Sequence, residues 1–280
     1  MKLTEREESL LEELHEWSQS FFSYETKGWE NLYDKWVEQA FSLLPESVQM
    51  QFFEKLDSSL FHLNSLLRGT KMQNDASARI LDAAKAIDEQ VQSFADIKKM
   101  PVGQLTFLAE QQASRHRIYS FIQGGMTGTG KAVFLMSDFL ASIVINLRAV
   151  QLIAMSFGNN VQSPAALLET IKVLNVAMMP NRMKLFGWED LMQDLQKEDT
   201  QFYFDGHDRI TDQTWIDEPL KEVLKIALIS SMSKLKTSNI PILSMSIGAS
   251  LNYQSTRKIT HFAIKFYQYK YLLEKSEGYK

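Results

Sequence analysis

The chain has 280 residues, and none of them is cysteine; proline and glycine are sparse, at 6 and 12. Without thiols it can form neither a disulfide nor a thiolate metal site, a composition that suits a reducing cytoplasm. The opening MKLTEREESLLEELHEW has no basic start followed by an apolar run, so the expectation is a protein made and kept inside the cell. Histidine is scarce too. The five, at positions 15, 62, 116, 207 and 261, show no H-E-x-x-H spacing, so no zinc site is expected. His207, beside Asp205 and Asp208, reads as a polar surface turn. There is no G-x-S-x-G elbow, and no extended basic stripe for nucleic acid. The expectation is no catalytic residue, no metal, no cofactor and no nucleic-acid partner.

The chain is instead rich in helix formers. Thirteen methionines, with many Leu, Lys and Glu residues, favour helix, and strand-like alternation is rare. Leu10, Leu11, Leu14, Trp17 and Phe21 recur at helical spacing behind Thr4, an expected N-cap. Further helices are expected over 28–42, 47–68, 77–98, from Pro101 toward Ile122, after Ser163-Pro164, over 219–235 and after Pro241. KMQNDAS (71–77) reads as a polar break, Pro180 and Gly187 as an irregular middle, and 195–219 as a polar excursion. The fold expected is an all-α multi-helix bundle with a glycine-rich helix-turn-helix at its centre. Residues 1–74 would form an acidic helical extension and 75–280 the main domain.

Charge is unevenly spread. Residues 1–60 hold 13 acids against 5 Lys or Arg, whereas residues 221–280 hold 10 Lys or Arg against 3 Glu. A basic end can rest on an anionic membrane, or dock on the acidic end of the same molecule.

Residues 124–158 place a glycine-dense loop before an apolar stretch that carries Asp138 and Arg148. Gly125 to Lys131 spells G-x-x-x-x-G-K, the core of a phosphate-binding loop, which makes a nucleotide-binding enzyme the alternative reading. However, Ala132 stands where a hydroxyl would hold Mg²⁺, and SRHRIYSFIQ ahead of the loop is polar rather than strand-like. Gly124, Gly125, Gly128 and Gly130 suit a tight turn and close helix packing instead. Thirteen Val, Ile, Leu and Phe residues in 132–157 would favour membrane insertion by roughly 4 to 8 kcal/mol, against about 5 to 7 for the two charges. A core helix is the expectation. On one helix Asp138 and Arg148 are separated by about 15 Å of rise and about 80° of rotation, so each needs another partner.

In the C-terminal region Pro241, Gly248, Ala249 and Asn252 precede a helix in which Ile259, Phe262, Ala263 and Phe266 form one stripe and Lys258, His261 and Lys265 another. Aromatics beside lysines make Lys258 and Lys265 candidate membrane contacts. The order Gly124, Gly125, Thr127, Gly128, Gly130, Asp138, Leu147, Arg148, Ile153, Ala154, Phe157, Gly158, then Pro241, Gly248, Ala249 and Asn252 resembles the EcsC family. The family usually has Pro soon after the acid, where this chain has Phe139 and Leu140, and often Tyr at the place of Phe157. The resemblance covers roughly residues 75–275. It implies a bacterial protein associated with an ABC transporter or with the membrane, peripheral at its inner face, and it supplies no catalytic residues.

Overall fold

The computed structural model describes residues 3–21, 70–127, 132–161, 163–179, 181–196 and 241–277, with a few isolated positions between them. Every element among the described residues is a helix, as expected. They are α1 (Glu5–Gln19), α2 (Thr70–Ile87), a 3₁₀ turn (Phe94–Lys99), α3 (Val102–Thr127), α4 (Ala132–Ser156), α5 (Pro164–Met178), a 3₁₀ turn (Asn181–Met183), α6 (Lys184–Gln196) and α7 (Pro241–Glu277). The helices expected over 28–42, 47–68 and 219–235, the polar excursion beyond Gln196 with its Asp205, His207 and Asp208, and Gly128 to Lys131 lie outside the described residues.

The helix starts follow local chemistry. Thr4 caps α1 reciprocally with Glu7: the Glu7 amide donates to Thr4 Oγ1 at 3.4 Å, and the Thr4 amide donates to Glu7 Oε2 at 3.0 Å. Ser163 accepts from the Ala166 amide at 3.2 Å with Pro164 in the first turn of α5, where a missing N–H costs nothing. Three expectations need correction. The polar 71–77 stretch belongs to α2, because Ala76, Ile80 and Ala84 at four-residue spacing give it a fully buried stripe. That helix stops at Ile87 rather than near 98, and Asp96 caps a separate turn through the Ser93 amide and hydroxyl. Gly187 lies inside α6 rather than in irregular chain. A Cβ there would fall 2.5 Å from Val176 Cγ2, so its lack of a side chain lets α6 press onto α5.

Helix α7, 37 residues long, is the spine of the bundle. It runs antiparallel to α3, packs on α4 and α5, and receives α1. Helix α4 is apolar nearly all round in its second half, with Leu147, Val150, Ile153, Ala154 and Phe157 buried, as befits an inner helix. Helix α1 is pinned by aromatic rings. Trp17 meets Phe21 at 4.9 Å, Trp188 of α6 at 5.4 Å and Phe262 of α7 at 5.5 Å, so three helices share one aromatic joint.

Candidate functional site

The glycines that open the motif lie on the seam between α3 and α7. Helix α3 does not turn at Gly124 and Gly125 but continues through both to Thr127. Gly124 is buried, and a Cβ on Gly125 would stand 3.7 Å from Ala249 Cβ of α7, so small residues face one another across the seam. Along the seam a polar ladder follows, in which residue numbers fall on α3 as they rise on α7. The Ser120 hydroxyl donates to the Asn252 carbonyl at 3.0 Å and accepts from Thr256 Oγ1 at 2.7 Å. Arg117 Nε donates to Thr260 Oγ1 at 3.0 Å, Gln268 Nε2 to Thr106 Oγ1 at 2.9 Å, and the Tyr271 hydroxyl to the Met100 carbonyl at 2.8 Å. Each rung satisfies groups that would be costly to bury alone and fixes the axial register of the two helices.

The rest of the motif builds the end of α4. Leu147, Ile153, Ala154 and Phe157 are core residues, with Phe157 stacked on Tyr267 of α7 at 6.3 Å. Gly158 then ends the helix with φ of +78°. Its amide donates to the Met155 carbonyl at 2.9 Å, and the Asn159 amide donates to the Ala154 carbonyl at 3.1 Å; this is the Schellman closure, which needs a left-handed residue at that place. Asp138 and Gly248 lie in α4 and α7, and their side-chain surroundings fall outside the described residues.

Arg148 faces a corner rich in positive charge. It donates to Gln151 Oε1 at 3.1 Å, and burial, then Arg79 of α2, push its pKa down. His116 of α3 shares the corner. Burial holds its pKa low, Arg148, Arg115 and Arg79 add to this, and its Nδ1 donates to the Gln112 carbonyl at 3.0 Å. Asn146 Oδ1 and Gln151 Nε2 are buried without a hydrogen-bond partner among the described residues.

The basic C-terminal helix divides into two halves. Lys275 binds Glu7 of α1 at 2.7 Å, Lys270 binds Glu169 of α5 at 2.6 Å, and Lys265 stands 5.2 Å over the Trp17 ring. The acidic and basic ends of the chain therefore do meet within one molecule. In the first half, Arg257, Lys258 and His261 are exposed. Of the two candidate membrane contacts, Lys258 is open to solvent and Lys265 is half-buried against tryptophan.

Beside that half lies a feature the sequence reading missed. Ile118, Phe121 and Ile122 on α3 are 56, 49 and 53 % exposed, and Phe121 touches the exposed Tyr253 of α7 at 6.5 Å. The signal was present as i, i+3, i+4 spacing on the helix face opposite Leu105, Leu108 and Gln112, but the preceding Ser114 to Arg117 made the stretch read as polar.

The phosphate-loop alternative loses its scaffold. Residues 114–123 belong to α3, and no strand occurs among the described residues. No cluster of His, Asp and Glu suited to a metal ion occurs among them either. A cleft of about 630 Å³ opens between α1 and α3, walled by Ile87, Val102 and Phe107 with the Glu7–Lys275 pair at its side.

What emerges is an all-helical bundle whose motif residues seat α3, α4 and α7 against one another. The chain belongs to the EcsC protein family, whose sequence profile matches residues 8–272. It is similar to the uncharacterized protein YdbA of Bacillus subtilis (strain 168), with 23% identity over 278 residues, covering 97% of this chain and 96% of that one. No solved structure matches it.

Proposed function

We propose that this protein is an accessory factor that docks peripherally on an anionic membrane surface, turning the outer face of α3 and the first half of α7 toward the lipid. The observation that carries the reading is the lack of acid in two paired helical stretches. From Gln111 to Thr127 and from Pro241 to Leu273 there is no Asp or Glu, while Arg115, Arg257 and Lys258 are exposed beside Ile118, Phe121, Ile122 and Tyr253. Apolar side chains ringed by cations suit the interfacial zone of a bilayer, where rings and aliphatic groups enter the acyl boundary and cations meet headgroups. Partial burial of three such side chains contributes on the order of 2 to 4 kcal/mol, and each cation about 1 kcal/mol near an anionic leaflet. The sum describes reversible binding. No helix among the described residues is long and apolar enough to cross a membrane, which fits docking rather than spanning. The inner leaflet of a bacterial membrane supplies the required charge, and a transporter embedded there would be met along the same face.

Flotation with liposomes tests the reading. Wild-type protein should rise with phosphatidylglycerol vesicles at low salt, stay behind with phosphatidylcholine, and be released by high salt. Replacing Ile118 and Phe121 by Ser, or Arg257 and Lys258 by Gln, should each weaken flotation while leaving thermal stability unchanged, because all four side chains are exposed. Absence of flotation at low salt, or undiminished flotation of both variants, overturns it.

A further inference from the structure

Lys184 opens α6, is only 9 % exposed, and holds its ammonium 5.6 Å above the ring of Phe262 on α7. Lys258 stands one turn before Phe262 on the same helix, close enough for its charge to act on Lys184. Among the described residues no carboxylate lies within ion-pair distance of Lys184, and the charged group acting on it is that second cation. The arrangement is costly three times over. Burial strips water from the ammonium, a like charge sits nearby, and the first turn of a helix is where its dipole disfavours positive charge. Burial first, and Lys258 second, hold the Lys184 pKa down to about 8. Three other lysines that face into the bundle have a balancing acid: Lys172 has Asp190 and Asp194, Lys270 has Glu169, and Lys275 has Glu7. Among the described residues Lys184 has none, and an anion supplied from outside would offset all three costs together.

We infer that Lys184 and Lys258 form a binding site for a phosphate monoester, whose oxygens bridge the two ammonium groups at the edge of Phe262. A monoester fits better than a carboxylate or a phosphodiester, because it brings nearly two negative charges to two cations and has three acceptor oxygens. Lysine binds such a group as a point charge, without the planar geometry that arginine imposes. The phosphate could arrive on a soluble metabolite or on the headgroup of a phosphatidic acid. The site shares Lys258 with the docking face but differs in what it asks for: a monoester held with Lys184, where the face asks only for negative lipid of any kind.

The test is amine labelling of the full chain at pH 8, where a lysine of lowered pKa reacts ahead of ordinary ones, with the label at Lys184 read by peptide mass spectrometry. Three additions are compared at matched ionic strength: inorganic phosphate, phosphatidylcholine vesicles containing phosphatidic acid, and vesicles containing phosphatidylglycerol. Several-fold protection of Lys184 by millimolar inorganic phosphate supports the site with a soluble ligand; protection by phosphatidic acid vesicles alone supports it with a lipid headgroup. Equal labelling in every condition, or protection by phosphatidylglycerol as strong as by phosphatidic acid, overturns it. Because Lys258 is exposed, Lys258→Gln keeps the fold and provides a second reading. It should slow Lys184 labelling without ligand, by removing a like charge, and should abolish most of the protection; protection equal to wild type would rule out the two-lysine site. A protein that floats on phosphatidylglycerol yet shows no protection retains the docking face and loses the phosphate site.

Discussion

Gly158→Ala isolates the role of one family-motif residue. Two costs act at that position. The backbone holds φ at +78°, a left-handed conformation that disfavours an L side chain by about 1 to 2 kcal/mol. A Cβ would also stand 3.0 Å from the Lys98 amide nitrogen and 3.3 Å from its Cα, besides meeting the movable Lys98 Cγ at 2.5 Å. Backbone cannot swing aside as a side-chain end can, so the crowding adds about 1 to 3 kcal/mol. Alanine restricts the unfolded chain and returns about 0.4 to 1 kcal/mol. The net loss is about 1 to 4.5 kcal/mol, which for a chain of this size lowers Tm by roughly 2 to 8 °C. Thermal melting followed by circular dichroism measures it, with Gly103→Ala as the control. A Cβ at Gly103 meets nothing within 4 Å, so that variant should be as stable as wild type or gain up to about 1 kcal/mol. If Gly158→Ala melts within about 1 °C of wild type while retaining full helicity, the closure of α4 against Lys98 does not constrain this residue and the reasoning fails.

Two further predictions concern the helix contacts. Ser120→Ala should cost about 1 to 3 kcal/mol by leaving the buried Thr256 hydroxyl without its acceptor, and Thr256→Val added to it should recover part of that loss, a coupling read from a double-mutant cycle in urea. The α1 contact should be acid-labile. Burial raises the Glu7 pKa, but hydrogen bonds from Lys275 and Thr4 outweigh it and leave it below the usual 4.5, so its contribution is present above pH 4.5 and lost as pH falls through the lower folded value. Glu7→Gln should remove the acid-dependent step in Trp17 fluorescence and free α1 for proteolysis at neutral pH; an unchanged step would point to another group.

Much of the local punctuation is legible in the sequence. Thr4, Pro101 and Ser163-Pro164 mark helix starts because a cap acts within a few residues, and the apolar density of 132–157 identifies an inner helix. The rungs of the α3–α7 seam are not legible. A serine at 120 and a threonine at 256 carry no local sign that they face one another, since their pairing depends on how two helices cross. The glycines mislead for a related reason: Gly124 and Gly125 read as a turn, yet the packing of α7 on that side keeps them helical. Lys265 illustrates the same limit for charge. Its spacing on α7 matches Lys258, and only the position of Trp17, nearly 250 residues earlier, separates a half-buried cation from an exposed one.

The dominance of α7 has a consequence for biosynthesis. The helix that completes the seam with α3, covers α4 and anchors α1 is the last of these elements to leave the ribosome, more than a hundred residues after α3. At about 5 to 20 residues per second, Leu105, Leu108 and the inner face of α4 wait on the order of ten seconds without their partner. During that interval the nascent chain presents a long apolar groove shaped for one helix, so newly made protein should depend on chaperone holding. Premature termination before Pro241 would then leave a product that aggregates rather than a smaller folded domain.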